Sequence, residues 1–134
     1  MEEPQWLTEA ILLAIHAQQI ERYGGTHGIL DENVVRSALA RPIHHFAYLE
    51  NADLADLAAG YLVGFARSQG FNDGNKRTGL ACALVFLAVN GHVLHAHPGD
   101  LYALTMSAAT GNADDRMVAA FLRSNMIPRP PADQ

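Results

Sequence analysis

Apolar residues recur with helical spacing along most of the chain. Leu7, Ile11, Ala14 and Ile15 fall on one face of a segment from about Thr8 to Arg22. Tyr23-Gly24-Gly25 ends it, because glycine accepts the left-handed turn that follows a helix. Asp31 has the position of a cap for a second helix carrying Val34, Val35, Ala38 and Leu39. Arg41-Pro42 is expected to stop that helix, since the residue before proline is pushed out of α geometry. A loop with His44, His45 and Phe46 then leads to Asp53, a further cap. Leu54, Leu57, Ala58, Tyr61, Leu62 and Phe65 repeat as one stripe of an amphipathic helix. The next segment, Lys76 to Asn90, is apolar all the way round from Leu80 to Val89, the pattern of a helix wrapped by others. Asn90-Gly91 terminates it, and His92 to His97 alternates like a short strand before Pro98-Gly99 turns the chain. Asp100 is expected to cap a helix reaching Thr110, and Met117, Val118, Phe121 and Leu122 mark a last one. The pattern predicts an all-α bundle of about six helices around a buried central helix, with at most a minor β-hairpin. Pro128-Arg129-Pro130-Pro131 suits neither helix nor ladder, so residues 126–134 are expected to fray.

Length and composition narrow the class. The 134 residues suit a single domain, 1–134, with a core over about 7–125. A hydrophobic share of 49% against 17% charged is that of a compact domain and not of a disordered chain. A net charge of −5 argues against a protein that coats nucleic acid. One cysteine, Cys82, excludes an internal disulfide and fits a reducing compartment; placed mid-helix among apolar residues, it reads as packing. The acidic start Met1-Glu2-Glu3-Pro4 lacks the layout of a secretory signal, and no apolar stretch is long enough to span a membrane. A cytoplasmic protein is predicted.

The chemistry concentrates between the third and fourth helices, at Gly70-Phe71-Asn72-Asp73-Gly74-Asn75-Lys76-Arg77. The first turn of a helix has free N–H groups and the positive end of the dipole, so an anion is welcome there. Gly74 removes the side chain that would keep a phosphate from the backbone, and Asn75 has an amide that can donate to one. Lys76, the one lysine in the chain, and Arg77 put two cations where a helix prefers acids, which an anionic ligand would compensate. Asp73 is a hard oxygen ligand of the kind that holds Mg²⁺ together with nucleotide phosphates. The bland alternative is an Asp-Gly turn in which Asn75 caps the helix and both cations point into water. Away from the loop, His95 and His97 read as a solvated hairpin, since two ligands without a third make a weak metal site. Asp114-Asp115 reads as the acidic first turn of the last helix.

The run from Gly70 to Thr78 resembles the signature of the Fic/Doc family, which in its Doc branch reads His-x-Phe-x-Asp-Gly/Ala-Asn-Lys-Arg. Tyr23-Gly24-Gly25, Gly28 to Glu32, Ser37 to Pro42 and the stretch from Asp53 to Gly91 are similar to the family as well, so that the resemblance spans about residues 7–125. It implies the Fic/Doc fold, with Phe71 as the buried anchor of the loop, Asp73 as Mg²⁺ ligand, Gly74 and Asn75 as anion cradle, and Arg77 on a phosphate. Lys76 stands where adenylylating Fic enzymes have glycine; in Doc-type proteins that lysine goes with phosphoryl transfer from ATP. The branch is that of toxins that phosphorylate elongation factor Tu on a threonine and are neutralised by a Phd-like antitoxin. No internal inhibitory Ser/Thr-x-x-x-Glu helix is found, which implies inhibition by a separate chain.

The chain departs from the signature at its histidine, whose place is taken by Gln69, followed by Gly70. The histidine accepts the proton of the target hydroxyl, and an amide lacks the basic lone pair for that task. His92, His95 and His97 lie at the far end of a helix, roughly 20 Å from Lys76 at 1.5 Å per residue, whereas His44 and His45 cannot be placed by sequence. Three readings stand: an attenuated Doc-type kinase, an AMP-transferring Fic enzyme, or a non-catalytic module that binds nucleotide or antitoxin.

Overall fold

The computed structural model describes residues 1–130. Those residues form α1 (Glu9–Tyr23), α2 (Glu32–Tyr48), α3 (Leu54–Ala66), α4 (Asn75–Val89), β1 (His92–Leu94), α5 (Pro98–Thr110), α6 (Asp115–Asn125) and β2 (Met126–Pro128). The all-α class and the six helices match the sequence pattern.

The helix wrapped by the others is α3, which packs against α2, α4, α5 and α6; α4, expected in that place, lies beside it. Ten of the thirteen α3 residues are buried, whereas α4 leaves Leu84, Val85 and Ala88 half-exposed and Val89 exposed. Side-chain size explains the exchange. The α3 sequence is rich in alanine and glycine, so neighbours approach it closely from several sides. A Cβ on Gly79 of α4 would stand 2.8 Å from the Leu62 carbonyl oxygen, so glycine is what allows the α3–α4 contact. Tyr61, Phe65, Phe71 and Phe86 fill the centre between them. Cys82 is fully buried there, and burial pushes its thiol up to about 12, as expected of an inert packing residue.

Three expectations about boundaries are overturned. Pro42 does not stop α2, which continues to Tyr48 and carries His44, His45 and Phe46 on its last turns. An interior proline costs a helix roughly 3 kcal/mol. Here its ring is buried and would lie 3.3 Å from a Cβ on Gly60, so packing against α3 offsets that cost, and the Arg41 guanidinium donates to the Gly60 carbonyl at 3.3 Å in the same place. The cap of α5 is His97, whose Nδ1 accepts the Gly99 N–H at 3.0 Å, and Asp100 lies inside the first turn behind Pro98. The chain after α6 does not fray at once. Met126–Pro128 pairs antiparallel with His92–Leu94, and Arg129 N–H donates to the Gly91 carbonyl at 2.7 Å. Pro128 ends this ladder, a position where a missing donor is tolerated. The two strands thus pair across α5 and α6 and do not form a local hairpin. The remainder of the expected frayed tail, 131–134, lies outside the described residues.

Long-range ion pairs fix α6. Arg41 donates to both Asp115 oxygens at 2.8 and 2.6 Å, so this carboxylate ties α2 to α6, while Asp114 caps α6. Asp53 caps α3 in a reciprocal box with Asp56, and Arg123 of α6 donates to both carboxylates. The Arg123 hydrogen bond holds the Asp53 carboxyl down to about 2, against an ordinary 3.8. The folded state is therefore favoured fully above pH 3.8, and this contribution is lost as pH falls toward 2. Arg123→Ala should return the Asp53 titration toward 3.8, read from its carboxyl ¹³C shift. Because the pair is half-exposed, the loss at neutral pH should stay below about 1 kcal/mol. An unchanged Asp53 titration in the variant would contradict the assignment.

Candidate active site

The loop between α3 and α4 is built from inside out. Phe71 is fully buried, stacking on Phe65 at 6.3 Å and forming an isolated bridge with Ile29. Its peptide groups are closed by one side chain: Asn75 Oδ1 accepts the Phe71 N–H at 2.9 Å, and Asn75 Nδ2 donates to the Phe71 carbonyl at 3.0 Å. Phe71 thus has the buried, anchoring position expected of it. The clamp uses the Asn75 carbonyl oxygen and one N–H of its amide, while Asn75 also lines the cavity described below.

A second layer comes from the glycine-rich turn after α1. The Gly70 carbonyl accepts from Leu30 N–H and Asp31 N–H, and Asn72 N–H donates to the Gly28 carbonyl. Asn72 Nδ2 donates to the His27 carbonyl at 3.0 Å, and Thr26 N–H donates to Asp73 Oδ2 at 2.7 Å. Gly74 takes a left-handed conformation with φ +79°, turning the chain into α4 with no side-chain cap. The N–H groups of Asn75, Lys76 and Arg77 find no acceptor among the described residues. This is the donor-rich opening that an anion can fill.

The polar residues respond to that opening differently. Lys76 is exposed, and no carboxylate of the described residues lies within ion-pair distance. Arg77 points to the end of α1, donating to the carbonyls of Gly24 at 3.0 Å and Gln19 at 3.4 Å with its guanidinium 5.5 Å from the centre of the Tyr23 ring. In this arrangement it neutralises the carbonyl end of α1 and braces the loop, and it also lines the cavity described below. Asp73 has one carboxylate oxygen on Thr26 and a second, Oδ1, without a partner among the described residues. A single free carboxylate oxygen fits Mg²⁺ held jointly with phosphates, since this ion is commonly bound by one or two carboxylates with waters and phosphate oxygens. No group of three or more His, Cys, Asp or Glu able to hold a metal occurs among the described residues.

Gln69, Asn72 to Arg77 and Leu80 form one side of a cavity of about 380 Å³, and Pro98, Tyr102, Thr105 and Met106 of the α5 segment form the other. The exposed Gln69 side therefore shares one space with Asp73, Gly74, Lys76 and Arg77. His44, His45, His92, His95 and His97 do not line it. The α5 wall was not foreseen, because Tyr102 and Met106 read as ordinary helix positions; Tyr102 is 68% exposed, which only the fold places over the loop. His16 was also missed. It is buried in α1, stacked on Phe71 at 3.8 Å with rings 9° apart, and bonded through Nε2 to the Asp73 carbonyl at 2.8 Å.

A second opening of similar volume between α2 and α3, lined by Ser37, Arg41, Arg67 and Ser68 among others, lacks such convergence. Its two arginines are occupied, Arg41 on Asp115 and Arg67 on the carbonyls of Ala108 and Ala113 at 2.8 Å.

A buried aromatic anchor, an asparagine clamp and an uncapped helix start carrying Lys-Arg come together on an all-helical fold. A profile of the Fic/DOC family matches residues 6–87, more than half of the chain, and the chain belongs to that family. It is similar to the "Protein kinase doc" of Escherichia phage P1, with 43% identity over 112 residues covering 84% of this chain and 88% of that protein.

Asn75→Ala should leave the buried Phe71 N–H and carbonyl unpaired and cost about 2–4 kcal/mol. Urea denaturation checks this: a midpoint equal to the wild type's would contradict the clamp.

Proposed function

We propose that this chain is a slow Doc-type kinase, transferring the γ-phosphate of ATP to a hydroxyl of a protein. Similarity to a Doc protein kinase supports the class. The observation that carries it is Lys76, the one lysine of the chain, which has no ion-pair partner among the described residues and stands on a helix start whose N–H groups find no acceptor among them. Elongation factor Tu is the target proposed by resemblance, and a Phd-like antitoxin the partner that restrains the enzyme. The cavity combines a polar floor at the loop with apolar surface from Leu80 on the same side and from Pro98, Tyr102 and Met106 on the facing side, which suits a ligand joining phosphates to a flat base. No helix among the described residues is long and apolar enough to cross a membrane.

In this mechanism the N–H groups at the start of α4 and the Lys76 ammonium hold the phosphates and neutralise charge developing on the transferred group. Arg77 braces the loop from α1 and adds positive charge at the same end. Asp73 Oδ1 would hold Mg²⁺, which supplies charge neutralisation and orients the phosphate oxygens. Gln69 orients the target hydroxyl through its amide. The hydroxyl oxygen forms the new bond to the γ-phosphorus as the bond to the β,γ-bridging oxygen breaks. ADP leaves and the hydroxyl proton passes to solvent, since Gln69 cannot take it. Phosphoryl transfer relies mainly on positioning and electrostatics, so loss of the base slows it without abolishing it. A general base is worth about 10²–10⁴-fold.

The test is label transfer to purified elongation factor Tu with Mg²⁺ and either γ- or α-labelled ATP. γ-Label should transfer slowly with the native chain, about 10²–10⁴-fold faster with Gln69→His, and not at all with Lys76→Ala. Transfer of α-label would establish AMP transfer in its place. No transfer from either nucleotide, with Gln69→His included, would contradict an enzyme and leave a binding module.

A further inference from the structure

We propose that His16 is a positioning residue for the phosphate site, holding the Asp73–Gly74 peptide so that the Gly74 N–H faces the incoming anion. This rests on the reading of the loop as a phosphate site and adds to it a residue from outside the loop, 57 positions earlier in the chain.

A carbonyl can only accept, so the 2.8 Å contact between His16 Nε2 and the Asp73 oxygen requires the proton on Nε2. That bond draws the carbonyl toward α1, and His16 itself does not line the cavity. The peptide is trans, and in a trans peptide the N–H points opposite to the C=O. Gly74 lines the cavity, and its N–H has no acceptor among the described residues. It therefore extends by one donor the row of N–H groups that opens α4. This orientation needs a holder. A peptide bordering glycine turns over with little steric resistance, and Gly74 sits at φ +79°. Turned over, the Asp73 carbonyl would present a partial negative charge to the phosphate.

The same imidazole lies flat on the Phe71 ring, 3.8 Å away and 9° from parallel, and is only 4% exposed. It touches both the anchored end of the loop and its turning point. Burial and the committed Nε2 exclude the other role a histidine suggests beside Gln69, that of a substitute base. His16 acts through the Asp73–Gly74 peptide.

The experiment titrates inorganic tripolyphosphate into isotopically labelled full-length protein and follows the Gly74 amide. In the wild type the Gly74 signal should move on addition. His16→Phe keeps a stacking ring and removes the donor; it should shift the Gly74 signal in the free protein and weaken binding about ten- to a hundredfold, as loss of a hydrogen bond to a charged group does. His16→Gln, which restores an N–H donor, should recover much of the affinity. Equal binding by His16→Phe with an unmoved Gly74 signal overturns the inference and leaves the phosphate site standing. No response of the wild type to tripolyphosphate overturns both. The wild-type imidazole ¹⁵N shifts give a check that needs no variant to fold: they should report the Nε2–H tautomer, and the Nδ1–H tautomer overturns the inference.

Discussion

The loop owes its shape to a reciprocal pair of hydrogen bonds in which the Asn75 amide closes on the peptide groups of Phe71. A buried backbone N–H and C=O must be paired, and here the first residue of α4 pairs them as a neighbouring strand would. The clamp joins the aromatic anchor in the core to the first turn of the helix. Once it is closed, Asp73 and Gly74 are left to span the gap outside it, and the start of α4 has no side chain of its own to cap it. An opening that lacks internal acceptors follows from a bond made one turn deeper.

Around that clamp, neighbouring segments hold the loop from the side away from the cavity. The turn after α1 meets it through Thr26, His27 and Gly28, Arg77 reaches back to the end of α1, and His16 fixes the Asp73 carbonyl. Lys76, in contrast, has no partner among the described residues. Positive charge without a protein counter-ion, on a helix end that is itself positive, raises the electrostatic energy of the free protein. A polyphosphate relieves it. In the proposed kinase, the charges that favour transfer would stay in place with Gln69 where a base would stand.

Much of this was legible before the fold was known. The periodicity of residues 54–65 located α3, and Asp-Gly-Asn-Lys-Arg before an apolar run located the turn that opens α4. What stayed hidden was tertiary in origin. Proline at position 42 reads locally as a stop, and only the packing of its ring on Gly60 keeps α2 going. The apolar girth of α4 suggested the central helix, but the small residues of α3 let more neighbours approach that one. The structural roles of Asn75 and Arg77, on the carbonyls of Phe71, Gln19 and Gly24, were not legible, because those carbonyls reach them only in the folded chain. His16 and Tyr102 carry no local signal, since each joins the site only when distant helices converge.

In the proposed function a polyphosphate binds at the amino end of α4 and Lys76 neutralises part of its charge. Isothermal titration of ATP with Mg²⁺ into the native chain, Gln69→His and Lys76→Ala tests it most directly. One nucleotide should bind saturably to the first two, with affinity at least about tenfold weaker in the third, the loss expected for one charge-assisted contact. Absence of binding to both the native chain and Gln69→His, or full affinity in Lys76→Ala, would contradict it.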